Sequence, residues 1–414
     1  MKIILVPIGT RGVTDPVLAL ALRLIERKHS VKVLGPINEA ARFERHGLQF
    51  VPTSSDIEAF LAKEGTRAIG SPARSIQVAA RFFRQEARRQ FDMLIEHARG
   101  ADAIVGAGTP LAGASVAEWL AIPYRHVFHS PTMFPSRDHA PPLTVFWQRQ
   151  PRLAKRLGWA VSEMINRATI GRAIDEGRRS LGLRPISSYY RYATSNVVLA
   201  IDEQLGPLPH DVEVPHLRTG YWHAPDSSSL SPELEAFLAA GPAPVFLGFG
   251  SMTDPRPAAT RVLLDNLFAA RAHRFVVSSG WARLALGLQR DDVLTIGPTN
   301  YAELFPRVAA VVHHGGPGTL SCAARAGTPQ VIIPHALDQF YWGERVRALG
   351  LGPAPIPRKK VSHGSILSAL AQATAPQHRA SARQLGERLR RRDGLVEALD
   401  APDFWSPRPL GAVA

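Results

Sequence analysis

The stretch "AAVVHHGGPGTLSCAARAGTPQVIIPHALDQFYWGERVRALGLGPAPIP", residues 309–357, decides the fold. An apolar run ends in two histidines, three glycines follow within four residues, and an alanine-rich helical pattern continues to Gly327. A second apolar run, "PQVIIP", precedes another helical pattern. Continuous apolar strands that alternate with helices are typical of parallel sheets covered on both faces. This half of the chain is therefore predicted to be a doubly wound α/β domain.

The same alternation extends along the rest of the chain. Further strand-like runs are "KIILVPIG", "SVKVLGP", "QFVPT", "DAIVGAG" and "PYRHVFHS" in the first half, and "APVFLGFGSM", "RFVVSSG" and "DVLTIGP" in the second. A chain of 414 residues is too long for one core, so we predict two α/β domains. Their predicted bounds are a first α/β domain at 1–210, a Pro-, Ser- and His-rich linker at 211–232, a second α/β domain at 233–380, and a C-terminal helix and tail at 381–414 that pack back toward the N-terminal domain.

Composition limits the class of protein. The single cysteine, Cys322, excludes an internal disulfide and a cysteine-based zinc site. The opening "MKIILVPIGTRG" is a first strand rather than a secretory signal, and no window has the ~18 apolar residues of a membrane span, so we expect a cytoplasmic protein. The net charge of +14 comes from arginines scattered over helical patterns, which favours solvated helix faces and no nucleic-acid partner. Peripheral contact with the inner face of a membrane stays open, as does the choice between monomer and homodimer.

The turn "HHGGPGT" lies between a predicted strand and a predicted helix. The first amides of a helix lack partners and its dipole is positive there, so this turn can hold an anion such as a diphosphate. Gly315, Gly316 and Gly318 allow close approach of the backbone, and Thr319 and His314 add donors. A purely structural turn is the alternative. There is no P-loop lysine, and "GTRGVTDP" (9–16) does not fit the dinucleotide-binding Gly-x-Gly-x-x-Gly pattern.

Asp338 and Gln339 follow the next strand, at the sheet edge where open parallel sheets bind ligands. A carboxylate beside an amide can hold neighbouring sugar hydroxyls through several hydrogen bonds. Asp338 could instead cap the helix that begins at this point, and both roles can coexist.

These motifs resemble the nucleotide-sugar signature of family 1 glycosyltransferases of the GT-B fold. The likeness is to the bacterial branch related to sterol glucosyltransferases and to glycopeptide and macrolide glycosyltransferases. It rests on the opening stretch and on "TGYW" (219–222), "PVFLGFGSM" (244–252), "SSGW" (278–281) and "LFPRVAAVVHHGG" (304–316). It is strong over 217–360 and weak over 55–215. The resemblance implies two Rossmann-like domains that face each other across a cleft, an acceptor-binding domain at 1–210 and a nucleotide-sugar-binding domain at 233–380.

The resemblance also implies site residues. His314, Gly318 and Thr319 would contact the diphosphate, and Asp338 and Gln339 the sugar. Ser251 would contact a phosphate, unless it is an ordinary turn serine, and Trp281 would lie near the base, unless it is a core residue. Ile296 stands where the plant branch has a base-stacking tryptophan. The donor-binding residues implied are Thr10, Arg11, Gly12, Ser251, Trp281, Ile296, His314, Gly315, Gly316, Gly318, Thr319, Asp338 and Gln339.

The implied reaction is attack of an acceptor hydroxyl on the anomeric carbon, with inversion and departure of nucleoside diphosphate. The helix terminus and His314 would stabilise the leaving group without a metal or other cofactor, the nucleotide sugar being a co-substrate. UDP-glucose is the first candidate donor. The acceptor is expected to be an apolar or amphipathic hydroxylated small molecule, such as a sterol, polyketide, glycopeptide or carotenoid-like molecule. The apolar residues around "TMFPS" and "LTVFWQ" suit a pocket for it, with a place in the core as the alternative.

This chain differs from the family at the residue that is the favoured candidate for the general base. Bacterial members read Gly-Thr-Arg-Gly-Asp at the first turn, whereas this chain has Val13 in place of that Asp. Asp15, His129 and Asp138 are the candidate bases, although Asp15 could simply cap a helix that has Pro16 at its first position. A catalytically silent GT-B-fold auxiliary or binding protein and a sugar-nucleotide epimerase are the alternatives to a transferase.

Overall fold

The computed structural model describes residues 1–54, 72–142, 150–212, 216–226, 228–252, 254, 256–280, 282–285, 287–288 and 290–406. The chain divides into two compact units, one formed by Met1–Ala224 with Asp393–Ala414 and the other by Pro225–Arg392. The prediction of two parallel-sheet α/β units is confirmed. The chain passes to the second unit between Ala224 and Pro225 and returns to the first unit at Asp393.

The first unit is built on a parallel sheet. Its described strands are β1 (Lys2–Ile8), β2 (Ser30–Pro36), β3 (Gln49–Ser54), β4 (Ala103–Gly108), β5 (Tyr124–Phe128), β6 (Val197–Ala200) and β7 (His216–Thr219). They are ordered β3-β2-β1-β4-β5-β6-β7 and every pairing is parallel. The edge strand β7 lies within the range predicted as a linker.

Helices cover both faces of this sheet. They are α1 (Arg11–Glu26), α2 (Ala40–Glu44), α3 (Pro72–His97), α4 (Gly113–Leu120), α5 (Arg152–Asn166), α6 (Arg172–Ser180) and α7 (Tyr189–Thr194). Because neighbouring strand residues point to opposite faces, Ile3 and Leu5 join the core under α1, whereas Ile4 and Val6 join the core under α3 and α4.

The second unit repeats the plan with β8 (Val245–Gly248), β9 (Phe275–Ser278), β10 (Val293–Ile296), β11 (Ala310–His313) and β12 (Gln330–Ile332). These parallel strands are ordered β10-β9-β8-β11-β12. Its helices are α8 (Pro232–Ala239), α9 (Pro257–Ala269), α10 (Tyr301–Leu304), α11 (Pro317–Ala326), α12 (Gln339–Ala348), α13 (His363–Ala373) and α14 (Pro376–Arg390). Strand order reverses between β8 and β11, as it does between β1 and β4 in the first sheet. Such switch points are where open α/β sheets bind ligands, beyond the carboxyl ends of the strands.

A last helix, α15 (Gly394–Asp400), belongs to the first unit. Gly394 packs against the backbone of Gly220 so closely that a Cβ on it would lie 2.1 Å from the Gly220 carbonyl oxygen. The Trp222 indole donates to the Gly394 carbonyl at 3.1 Å, and Leu395 and Leu399 enter the core beside α1. Within the described part of the chain, none of the helices is both long and apolar enough to cross a bilayer.

Candidate active site

The glycine turn forms an open helix start at the switch point of the second sheet. Gly315 has φ +91°, a conformation that favours glycine, and a Cβ there would lie 2.9 Å from Ile332 Cγ2. Gly316 is the N-cap of α11, and because glycine has no side chain, no side-chain hydrogen bond caps this helix. Pro317 has no N–H, so the first-turn amides without a partner among the described residues are those of Gly318 and Thr319. The turn thus presents backbone donors at the positive end of a helix.

The first histidine of the pair shapes this turn. His313 is fully buried; its Nε2 lies 2.9 Å from Gln330 Oε1, and its Nδ1 lies 3.2 Å from the Gly315 amide nitrogen. An amide can only donate, so Nδ1 accepts from Gly315 and the Nε2 N–H donates to Gln330. Burial lowers the pKa of His313 to about 4, which keeps this neutral tautomer at pH 7. His313 is therefore a structural residue.

The second histidine has an unused nitrogen. His314 Nε2 lies over Gly316, where a Cβ would come within 2.4 Å of it. Its Nδ1 is buried and has no hydrogen-bond partner among the described residues. Burial, and to a smaller extent His313 and His335, lower the pKa of His314 to about 3. The ring is therefore neutral at pH 7 and retains hydrogen-bonding capacity beside the amides of α11.

Two neighbouring loops meet at this turn. Gly250, after β8, has φ +56°, and a Cβ on it would lie 3.4 Å from His314 Cε1. Gly280, after β9, packs on the Gly250 carbonyl. A Cβ on Gly280 would lie 2.6 Å from that carbonyl oxygen. The predicted phosphate contact Ser251 follows Gly250 and is buried. Trp281 lies outside the described residues. Ile296 ends β10 and packs in the apolar cluster with α8 and α11.

Asp338 and Gln339 lie next to the glycine turn, since a Cβ on Gly315 would be 3.1 Å from the Gln339 carbonyl oxygen. Asp338 occupies the N-cap position of α12, but its side chain does not cap the helix. Instead, the Trp342 indole N–H donates to Asp338 Oδ2 at 2.8 Å and fixes the carboxylate. Gln339 Oε1 accepts from the amides of His335 and Ala336 at 2.7 and 3.0 Å, so it holds the loop that carries Asp338.

Thr10, Arg11 and Gly12 lie in the first unit, at the carboxyl end of β1. Thr10 is the N-cap of α1, and its carbonyl accepts from the amides of Val13 and Thr14 at 2.8 and 3.1 Å. Arg11 is exposed, and the space around Gly12 is open. The Val13 side chain packs on Gly9 and Gly108, within 2.7 and 3.0 Å of where their Cβ atoms would stand. Position 13 is thus filled by an apolar contact.

Helix capping was the alternative role for Asp15, and Asp15 does not cap a helix. The helix α1 begins at Arg11, so Pro16 lies inside it and the expected start at Pro16 is wrong. The Asp15 carboxylate forms an ion pair with Arg42, and Arg11 Nε is 4.0 Å away. Arg42 also donates to Glu39 Oε2 at 3.1 Å, and Glu39 accepts from the Thr14 hydroxyl at 2.9 Å. Asp15 therefore belongs to a charged network beside α1.

The other two candidate bases differ in how their side chains are hydrogen-bonded. Asp138 Oδ1 accepts from Arg152 at 3.3 Å, so its carboxylate is paired at the surface. His129 is buried after β5, and its Nδ1 N–H donates to the Ala200 carbonyl at 3.3 Å. Its Nε2 has no hydrogen-bond partner within the described residues. Burial lowers the pKa of His129 to about 4, so this nitrogen carries a lone pair at pH 7.

Sequence reasoning missed three residues that hold these groups: Trp342, which orients Asp338; Gln330, which sets the tautomer of His313; and Arg42, which pairs with Asp15. The four-residue spacing of Asp338 and Trp342 on one helix face was the available signal. Across the ranges that the structure describes, no three His, Cys, Asp or Glu side chains are grouped to hold a metal ion.

Comparison with known proteins agrees with this architecture. The N-terminal domain model of glycosyltransferase family 28 matches residues 3–135, and the C-terminal domain model of proteins like erythromycin biosynthesis protein CIII matches residues 273–392. The vancomycin aglycone glucosyltransferase of Amycolatopsis orientalis is 37% identical over 420 residues, with 98% of this chain and 99% of that protein covered. A sterol 3-beta-glucosyltransferase of Arabidopsis thaliana is 28% identical, with 97% of this chain and 67% of that protein covered.

A solved structure gives the same fold. The glycosyltransferase VinC, crystallised in complex with DTDP, superimposes with a TM-score of 0.68 at 19% identity, covering 100% of this chain and 99% of that one. The chain belongs to the glycosyltransferases of the GT-B fold, in the group that includes glycopeptide and sterol glycosyltransferases. The predicted family, fold and enzyme class are confirmed.

Proposed function

We propose that this glycosyltransferase moves a hexose, with glucose as the first candidate, from a nucleoside-diphosphate sugar to a hydroxyl of an apolar or amphipathic natural product, with inversion and without a metal. The observation that carries the proposal is the uncapped start of α11 at the β8/β11 switch point, with Nε2 of His314 lying against Gly316 at that start. A diphosphate offers the acceptors that these donors lack.

The leaving diphosphate gains charge as the glycosidic bond breaks. Fixed amides of Gly318 and Thr319 and the His314 imidazole would stabilise that charge without reorganisation. Asp338, oriented by Trp342, would accept hydrogen bonds from the sugar hydroxyls. Gln339 would donate from Nε2, whose present acceptor is the weak thioether of Met252 at 3.4 Å.

For the general base we propose His129. Asp15 and Asp138 are each paired with a guanidinium group, whereas His129 Nε2 holds an unshared lone pair and its Nδ1 N–H is fixed by Ala200. The nitrogen is shielded from solvent, so its use as a base includes a displacement of neighbouring groups when acceptor binds. Neutral imidazole is the form that accepts the proton of the attacking hydroxyl.

The relatives support the choice of substrates. One acts on the vancomycin aglycone, another glucosylates sterols, and VinC was crystallised with a thymidine diphosphate. Taken together, these names fit a nucleoside-diphosphate donor and a small-molecule acceptor. We therefore propose UDP-glucose and dTDP-glucose as the first donors to test, with glycopeptide aglycones and sterols as the first acceptors.

Calorimetry with UDP and dTDP, followed by donor hydrolysis and transfer assays with EDTA present, tests the proposal. A transferase binds one diphosphate, hydrolyses its sugar donor slowly, and turns over faster when an acceptor is added. His314→Ala should lower the transfer rate about 10²–10³-fold. Binding without turnover on any acceptor would indicate the auxiliary protein, and release of a free epimerised sugar would indicate the epimerase.

The base has its own test. His129→Asn keeps a donor that can reach the Ala200 carbonyl but removes Nε2, so transfer should fall about 10²–10⁴-fold while donor affinity is unchanged. Asp15→Asn and Asp138→Asn are the matched comparisons. If either of these abolishes transfer while His129→Asn is active, the assignment of the base is wrong.

A further inference from the structure

Helix α5 turns an apolar face to solvent. Among the described residues, four of the nine most exposed large apolar side chains lie on it: Leu153 (76% exposed), Leu157 (65%), Val161 (40%) and Met164 (65%). Their spacing of three and four residues places them in one stripe along the helix. A contiguous exposed stripe of this kind marks an interaction surface.

The opposite face of α5 is buried, and its polar groups form hydrogen bonds inside the protein. The Trp159 indole donates to the His139 carbonyl at 3.1 Å, and Ser162 Oγ lies 2.6 Å from the Tyr190 hydroxyl. Asn166 Nδ2 donates to the same hydroxyl at 3.0 Å. The helix is therefore anchored by its buried face, and rotating it to bury the stripe would break these bonds.

Helix α5 carries three basic side chains, of which Lys155 is buried, and one carboxylate. Glu163, the single carboxylate of α5, accepts from the amides of Tyr189 and Tyr190 at 2.7 and 3.1 Å and so faces the protein. Arg156, next to Leu157, is exposed and has no ion-pair partner among the described residues. Arg152 pairs with Asp138 at 3.3 Å.

We propose that α5 docks this enzyme on an anionic lipid surface, with the four apolar side chains entering the headgroup boundary and Arg156 contacting lipid phosphates. Helices of this composition lie in the plane of a membrane interface. A second copy of the chain fits less well, because α5 offers no outward carboxylate to pair with the arginine of a partner helix. The docking is independent of the glycosyl transfer proposed above.

Co-sedimentation of the full chain with vesicles tests the docking. Wild-type protein should bind vesicles of phosphatidylcholine with phosphatidylglycerol, bind phosphatidylcholine alone weakly, and dissociate as salt is raised. Leu157→Gln with Met164→Gln should weaken binding at least about tenfold, and Arg156→Gln should reduce the dependence on anionic lipid. Val262→Gln, at a residue 60% exposed on α9, is the matched control and should bind as wild type does. Thermal unfolding checks that the substituted chains are folded.

Three results would overturn the proposal. Wild-type protein could fail to bind anionic vesicles at low salt. The Leu157/Met164 variant could bind as tightly as wild type, in which case the overall charge of +14 rather than the stripe carries the attraction. Sedimentation velocity could show a wild-type dimer that the variant converts to monomer, which would assign the stripe to a second copy.

Discussion

The imidazole of His314 lies where a side chain on Gly316 would stand: an ideal Cβ at position 316 would be 2.4 Å from His314 Nε2. Real Cβ atoms do not approach a ring nitrogen so closely, so the absence of a side chain at the N-cap allows the ring to rest on the helix start. The φ of Gly316 is −66°, which any residue can adopt. The requirement for glycine there is therefore steric and concerns the position of the histidine.

Gly316→Ala should displace the His314 ring and lower kcat/KM for the donor about 10²–10³-fold, as the loss of one preorganised donor does. Diphosphate affinity by calorimetry and steady-state kinetics measure the effect. Gly364→Ala, in α13 where the nearest heavy atom to a Cβ is Ser362 Oγ at 4.0 Å, is the control. Wild-type kinetics in Gly316→Ala would show that the ring position is unimportant.

The carboxylate of Asp338 depends on the indole of Trp342 for its direction. Trp342→Phe removes that donor, and a hydrogen bond to a charged group contributes about 1.5–3 kcal/mol, so the KM for the nucleotide sugar should rise about tenfold or more. The affinity for the sugar-free diphosphate should not change, because the glycine turn is intact. An equal loss for diphosphate and nucleotide sugar would mean that the substitution disturbs the whole site.

Most of the fold was predictable from the sequence because its strands are continuous apolar runs and its turns carry glycines. The roles of the two adjacent histidines were not predictable, since they depend on Gln330, 17 residues after His313 in the chain, and on Gly316. The start of α1 was wrongly predicted because Pro favours the first helical position. In the structure, the Thr10 carbonyl accepts from Val13 and Thr14 and starts the helix five residues before Pro16.

Helix α5 shows a second limit of pattern reasoning. Its period of three and four predicts a helix, and periodicity alone would bury Leu153 and Leu157 in a core. The structure buries the other face, because hydroxyl, amide and carboxylate groups at positions 162, 163 and 166 all find partners in α7. Such partners are set by tertiary contacts that a local pattern does not contain.

Stability should fall in mild acid. Burial lowers the pKa of six histidines from the usual 6.5, to about 3 for His314 and to about 4 for His126, His129, His139, His313 and His335. The unfolded chain binds these protons more readily, so the free energy of unfolding is largest above pH 6.5 and decreases as pH falls from 6.5 toward 4. Each histidine contributes up to about 1.4 kcal/mol per pH unit.

Urea unfolding at several pH values between 7.5 and 5 measures this slope. His126→Asn should reduce it, because Asn does not titrate and can still donate to the Ala193 carbonyl that His126 contacts at 2.9 Å. His210→Asn, at an exposed position, is the control for the loss of an imidazole outside the buried set. A slope that is identical in wild type and His126→Asn would contradict the assignment of acid lability to the buried rings.

Substitutions in the network around Asp15 can distinguish a structural role of its carboxylate from a catalytic one. Glu39 is buried and relies on Arg42 and Thr14, so Arg42→Met should lower the free energy of unfolding by about 3–5 kcal/mol, the typical cost of an unpaired buried charge. Adding Glu39→Gln should recover much of that loss, whereas Asp15→Asn should cost about 1 kcal/mol or less because Asp15 is half-exposed. Chemical denaturation and a double-mutant cycle measure these terms. If Asp15→Asn left stability intact but abolished transfer, Asp15 would be the base and the assignment of His129 would be wrong.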